Sequence, residues 1–262
     1  MKQRRPVVVS ANRPARLVIA VGSGKGGVGK STVSLHLALA FRRRGLGVGL
    51  LDADLYGPDI PLMVGISRTE LARQWQLWRK SGIRLEALER RGLRIMSVGF
   101  LLAEQQALTM PAPLLSAGLR QLVRDVDWRE PDVLLIDLPP GTADLQQQLL
   151  GVVPLDGGVI VVGPQDVAHL DGRKFLDFLR DGGVTVLGGI ENMAGLKCPH
   201  CSEPIDVFPR VADERALWTQ GVTLLGRVPL LPAGCGSDDW QASKFDAIAE
   251  KTLEAVERRP AA

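Results

Sequence analysis

The sequence predicts an α/β fold: a doubly wound, mostly parallel sheet with helices on both faces. Three observations carry that expectation. Short apolar runs, several of them β-branched, recur along the chain without polar interruption, as central strands buried on both faces require. Amphipathic helical patterns fall between them, and alternation of the two implies parallel strands joined by crossover helices. A glycine-rich turn separates the first apolar run from the first helical pattern.

Taken in order, Leu17–Val21 reads as the first strand and Ser31–Arg44 as the helix after the turn. Further strands are expected at Val48–Leu51, Arg94–Val98, Val133–Ile136, Gly158–Val162, Val184–Ile190 and Leu224–Arg227. Helices are expected at Ala112–Val126, Thr142–Leu150, Val167–Arg180 and Val211–Gln220. Phe245, Ile248, Ala249, Thr252, Leu253 and Val256 recur at helical spacing and predict a C-terminal helix packed on the body. Residues 67–92 read as an insertion, with Trp75 and Trp78 on one face of a short helix. Residues 17–258 are expected to form one domain, preceded by a basic tail at 1–16.

Composition excludes several classes. Hydrophobic residues make up 45% of the 262 and charged residues 23%, so the chain is not intrinsically disordered. No apolar run reaches the roughly 18 residues of a membrane span. Three cysteines cannot build a disulfide framework, which points to a reducing compartment and a cytoplasmic location. The formal charge of +3 hides an asymmetry: residues 1–51 hold ten Lys or Arg and no acid, while the remainder holds 22 basic and 29 acidic residues. A basic first fifth calls for an anionic partner; the plainer reading is a solvated tail plus Arg42–Arg44 at a helix C-terminus, where the dipole favours cations.

Gly24-Lys25-Gly26-Gly27-Val28-Gly29-Lys30-Ser31 fits the phosphate-loop pattern G-x-x-x-x-G-K-[ST]. Glycines let successive N–H groups turn inward around phosphates. Lys30 supplies an ammonium for the β- and γ-phosphates of ATP and Ser31 a hydroxyl for Mg²⁺. The helix that starts there, with Thr32 in its first turn, points its positive end at the same anion. Asp52 and Asp54 end the second strand, where ligands bind in this architecture. Val133-Leu134-Leu135-Ile136-Asp137 is an apolar strand ending in a carboxylate, the Walker B form, followed by the rigid turn Leu138–Thr142.

The second lysine of the loop, Lys25, is one that an ordinary phosphate loop does not need. Lys-Gly-Gly-Val-Gly-Lys-Ser resembles the deviant loop of the MinD/ParA-type ATPases. That resemblance implies a homodimer sandwiching two ATP molecules, with Lys25 reaching the partner's phosphates as an arginine finger would. It also implies that Asp54 orients the attacking water and that Asp52 belongs to the outer shell of Mg²⁺.

Other motifs narrow the likeness. Asp52-Ala53-Asp54-Leu55-Tyr56-Gly57-Pro58-Asp59, Asp137-Leu138-Pro139-Pro140-Gly141-Thr142-Ala143-Asp144, Pro164-Gln165-Asp166-Val167-Ala168 with Asp171 and Lys174, and Glu191-Asn192-Met193 before Cys198-Pro199-His200-Cys201 together resemble the Mrp/ApbC-type iron–sulfur carrier ATPases. The likeness runs from about Val18 to Pro232. It implies that Cys198 and Cys201 of two protomers hold one 4Fe–4S cluster, that apo iron–sulfur proteins are the clients, and that Asn192 reads the adenine edge; by its position just after a strand Asn192 equally reads as a turn residue. The residues agree independently: one chain offers two thiolates at C-x-x-C spacing, and tetrahedral Fe–S or zinc centres want four ligands. Zinc is the alternative occupant, with His200 a spacer or a zinc ligand, and Cys235 reads as a buried small residue. Three stretches depart from the family pattern: Leu108–Pro111, Phe208–Ala212 and Leu231–Cys235. The rival function is a MinD/ParA-like positioning switch on DNA or a membrane surface. The basic N-terminal segment favours it; the cysteine pair and the lack of a basic amphipathic tail count against it. The carrier reading expects no specific nucleic acid and no membrane partner.

Overall fold

The computed structural model describes residues 13–54, 57–66, 85–101, 112–141, 153–198, 200, 201, 203–230 and 238–259. Its centre is four strands: β1 (Leu17–Gly22), β2 (Val48–Asp52), β7 (Val133–Asp137) and β8 (Gly157–Val162). Every residue of β2, β7 and β8 is buried, as apolar runs covered on both faces should be. β5 (Leu93–Ser97) and β9 (Val186–Lys197) extend the sheet on either side, and β4 (Leu88–Arg90) closes one edge antiparallel to β5. The order is β10-β9-β8-β1-β7-β2-β5-β4, where β10 is Pro204–Ile205; β11 (Leu224–Leu230) also pairs with β9, in parallel. β3 (Leu85–Glu86) and β6 (Val126–Asp127) form a separate two-stranded piece.

Helix α1 (Lys30–Arg43) follows β1 through the glycine-rich loop, and α2 (Ile60–Met63) is a single turn opened by Pro61. Then come α3 (Ala112–Arg124), α4 (Asp166–Asp181) and α5 (Asp238–Glu257). On α4, Ala168, Gly172, Phe175, Leu176 and Leu179 are buried at helical spacing, the stripe that seats a helix on a sheet. α5 buries Phe245, Ile248, Ala249, Thr252 and Val256, so the C-terminal helix packs on the body as expected.

Two expected elements are corrected. The pattern over Val211–Gln220 is not one helix but two 3₁₀ turns, Asp213–Arg215 and Leu217–Gln220. Ala216 between them is extended, at φ −62° and ψ 149°. The Leu217 N–H donates to Nδ1 of buried His169 at 3.0 Å, a bond that replaces the return bond of a helix. The sixth strand runs on from Ile190 to Lys197, because β11 and β10 take up its backbone groups where β8 ends. Most of the insertion, with Trp75 and Trp78, lies outside the described residues, as do the expected helix Thr142–Leu150, Cys235 and residues 1–12.

Most of the described basic residues near the N-terminus find acids within the chain. Arg43 pairs with Asp246 at 2.7 Å and Arg44 with Glu250 at 3.5 Å, joining α1 to α5. Arg13 and Arg259 both pair with Asp156, and Arg16 pairs with Asp132. The end of α1 is therefore tied to α5 rather than merely solvated.

Candidate functional site

The parallel strands end together, and β1, β2 and β7 deliver the glycine loop, Asp52 and Asp137 to one rim. Gly27 and Gly29 have φ of 79° and 77°, left-handed values that favour glycine. A Cβ on Gly24 would lie 1.9 Å from the carbonyl oxygen of Asp171, so only glycine lets the loop run against α4. The Ser23 hydroxyl donates to the carbonyl of Lys25 at 2.8 Å. The turn after β7 is tied to the same loop by the Gly141 N–H, which donates to the carbonyl of Ser23 at 3.0 Å.

Lys30 is buried, and its Nζ lies 2.9 Å from Asp137 Oδ2 and 3.4 Å from Asp54 Oδ2. The Ser31 hydroxyl donates to the same Asp137 oxygen at 2.7 Å, and Ser34 donates to the other at 2.7 Å. Burial alone would lower the Lys30 pKa; the charge and hydrogen bond of Asp137, with Asp54 and Asp52 behind it, outweigh burial and raise it. Asp52 sits beside Asp137 in register across β2 and β7. Burial, then the neighbouring charge of Asp137, pushes its carboxyl well above the usual range. Ser97 donates to Asp52 Oδ2 at 2.9 Å, and the Asp54 N–H faces Oδ1 at 3.2 Å. Three carboxylates thus converge on one ammonium and one hydroxyl. These are the groups that a phosphate and a hydrated divalent cation would engage. Thr32 lies one position further along α1 and is half-buried; so is Lys25, whose ammonium makes no ion pair among the described residues.

Asn192 is brought to the loop from β9. Its amide donates to the carbonyl of Val28 at 2.9 Å, and a Cβ on Gly29 would lie 2.3 Å from that nitrogen. Glu191 beside it is buried, with His169 Nε2 at 3.4 Å and Arg227 Nε at 2.5 Å. Burial pushes the Glu191 carboxyl up, but the hydrogen bonds of His169 and Arg227 prevail and hold it below its usual value. Sequence reasoning missed Ser34, Ser97 and this Glu191–His169–Arg227 cluster. Ser34 was open to inference, since it stands one helical turn after Ser31. Ser97 needed the β2–β5 register, which pairs it with Asp52.

The cysteines stand on a β-hairpin at the same rim. β9 runs directly into Cys198, β10 returns antiparallel to it, and the Cys198 N–H donates to the carbonyl of Glu203 at 2.9 Å. The Cys198 thiol accepts from the backbone N–H of Cys201 and then of His200, which lowers its pKa toward the thiolate. Cys198 is half-buried, and Cys201 and His200 are exposed. Ile205 and Val207 are exposed on the returning limb.

Comparisons with known proteins agree with this geometry. The chain is 39% identical over 251 residues to an iron–sulfur cluster carrier protein of Methanocaldococcus jannaschii, covering 91% of this chain and 84% of that one. It is 43% identical over 223 residues to the human cytosolic Fe–S cluster assembly factor NUBP2, covering 83% and 80%. Among solved structures, a nucleotide-binding protein of Archaeoglobus fulgidus in complex with ADP superposes with a TM-score of 0.68 at 30% identity, over 95% of this chain and 94% of that one. The family model described as ParA, NUBPL iron-transfer P-loop NTPase, matches residues 15–258. With the phosphate loop, the converging carboxylates and the cysteine hairpin all inside that match, the chain belongs to the NUBPL iron-transfer P-loop NTPase family.

Proposed function

We propose that the protein is an ATP-hydrolysing carrier that holds a 4Fe–4S cluster between two protomers and passes it to apo iron–sulfur proteins in the cytoplasm. The observation that carries this reading is the Cys198–Cys201 turn, whose backbone N–H groups favour a thiolate, the form that ligates metal. Among the described residues, no third His, Cys, Asp or Glu joins the cysteine pair in a group that could hold a metal ion. A second protomer's pair makes up four soft ligands around a cluster. No described helix is long and apolar enough to cross a membrane.

The nucleotide half follows from the loop. Lys30 would turn from Asp137 to the phosphates of ATP, and Ser31 would offer its hydroxyl to Mg²⁺. Asp137 and Asp52 would hold the hydration shell of Mg²⁺, which would supply charge neutralisation on the phosphates. Asp54 orients the attacking water. The N–H groups of Gly24 to Ser31 and of Thr32 face the phosphates, and Lys25 reaches across to the partner's nucleotide. Asn192 borders the nucleotide through the loop it holds.

Anaerobic reconstitution with iron and sulfide tests the cargo. The expected result is four iron and four sulfide per dimer, a brown colour, and loss of both in Cys198→Ser or Cys201→Ser, because a hard alkoxide replaces a soft thiolate. One zinc per dimer without sulfide, or a cluster that persists in the double variant, overturns the reading.

A further inference from the structure

Strand β9 touches both halves of the molecule's chemistry. At Asn192 it holds the phosphate loop: the side-chain amide donates to Val28, and Gly29 packs against that amide and faces the Met193 methyl, to which a built Cβ would be 3.5 Å. Six residues further on the same strand becomes Cys198.

Between these points the strand is not regular. β8 pairs with β9 only as far as Glu191. The β9–β11 register then slips: Val228 faces Asn192, but Leu230 faces Leu196. Met193, Ala194 and Gly195 therefore stand opposite Pro229 alone, a residue with no N–H to donate to the ladder. Met193 has φ 59° and Gly195 φ 84°, left-handed values that a methionine seldom adopts. Pairing resumes at Leu196 and Lys197, with β10 of the cysteine hairpin. A strand anchored at the nucleotide loop thus meets the hairpin carrying the thiols across a three-residue irregularity in its pairing. Hinges are built from a few residues of this kind.

We infer that β9 is the mechanical link between the two sites: residues 193–195 form a hinge through which occupation of the phosphate loop reorients the cysteine hairpin, and Asn192 is the positioning residue that drives it. Phosphates entering the loop must bring its N–H groups into register around them. The Val28 carbonyl moves with that backbone and carries the Asn192 amide with it. The consequence reaches Cys198 as a changed exposure of the thiol and changed N–H contacts to its sulfur. The inference rests on Cys198 and Cys201 being the cargo ligands, but its test does not need the cargo.

The test uses the full-length, metal-free, reduced protein under anaerobic conditions. Alkylation of Cys198 by iodoacetamide is followed by mass spectrometry, with and without a saturating non-hydrolysable ATP analogue and Mg²⁺. In the wild type the analogue is expected to change the rate about threefold or more, a modest shift between two hairpin states. Asn192→Ala should abolish that response at an analogue concentration shown by equilibrium dialysis to saturate the variant, whatever its affinity. Met193→Val should abolish it too, because a β-branched side chain disfavours the left-handed conformation; Met193→Asn, which tolerates it, should keep it. The hinge is overturned if wild-type Cys198 ignores the analogue, or if Asn192→Ala or Met193→Val responds as the wild type does. It is also overturned if Asn192→Ala needs far more ATP but not more GTP to saturate and then responds in full, since Asn192 would then read only the base. A protein that shows the response yet binds no iron retains the hinge and loses the carrier reading.

Discussion

Lys30 and Lys25 stand five residues apart in one loop, yet their surroundings differ completely. Lys30 is clamped by Asp137 and Asp54 inside the protein; Lys25 is half-buried with no acid paired to it among the described residues. Removing one partner of a buried ion pair leaves the other charge uncompensated and destabilises strongly. Lys30→Ala is therefore expected to lose ATP binding in equilibrium dialysis and also to melt earlier. Lys25→Ala should melt as the wild type does and bind ATP, while steady-state hydrolysis falls about tenfold or more, the signature of a charge that acts only at the transition state. Normal hydrolysis by Lys25→Ala would remove the sandwich dimer from the mechanism. Asp52 gives a second residue-scale expectation. Its folded-state pKa lies above its unfolded value, so the folded protein holds the extra proton. Wild-type stability then declines as pH rises from the unfolded pKa to the raised folded one, and levels off above it. Asp52→Asn keeps the shape and replaces the charge; its amide can donate to Ser97 Oγ while its oxygen accepts from the Asp54 N–H. A gain of about 1 kcal/mol, or roughly 2–4 °C in Tm, is expected at neutral pH and should shrink toward pH 4. Calorimetry across that range checks it, and a variant that melts lower at neutral pH contradicts the assignment.

At the scale of elements, what the sequence disclosed depended on how local its cause was. The central strands are runs whose burial on both faces is written in their composition, and β2 and β7 lie within one residue of their expected bounds. The glycine loop was equally legible, because its pattern is contiguous in the chain, although the demand on Gly24 comes from Asp171 of α4. Leu217 shows the opposite case. Its segment has helical periodicity, but the N–H that would continue a helix is claimed by His169, 48 residues earlier, and no window on the sequence contains both. β9 failed in the same way. Its polar Glu191 and Asn192 read as the end of a strand, yet Arg227, His169 and the Val28 carbonyl satisfy them inside the fold. The candidate site was visible as residue types, and its wiring was not. The Ser97 hydroxyl reaches Asp52 only through the β2–β5 register, whereas Ser34 follows Ser31 by one helical turn to the same Asp137.

For the whole molecule, the charge asymmetry of the chain becomes an internal one. Arg43 and Arg44 at the end of α1 meet Asp246 and Glu250 of α5, so part of the basic N-terminal surplus is spent on acids of the C-terminal helix. Such exposed pairs contribute at most about 1 kcal/mol each. Their main effect is to fix the end of α1 against α5. The remaining question at this scale is whether one chain or two make the metal centre. A twofold-symmetric site contains the same residues from both protomers, and here each protomer offers Cys198 and Cys201. Equal amounts of wild-type chain and a Cys198→Ser/Cys201→Ser chain, unfolded together and refolded to randomise pairing, should give about a quarter wild-type dimers, about half mixed dimers and about a quarter lacking all four thiols. If four thiolates are needed, reconstituted cluster falls to about a quarter of the wild-type yield at equal total protein; if each chain binds its own metal, it falls only to about half. Iron and sulfide analysis separates these values. A yield near one half would assign the centre to single chains, and the cysteine hairpin would then need its remaining ligands from outside the protein.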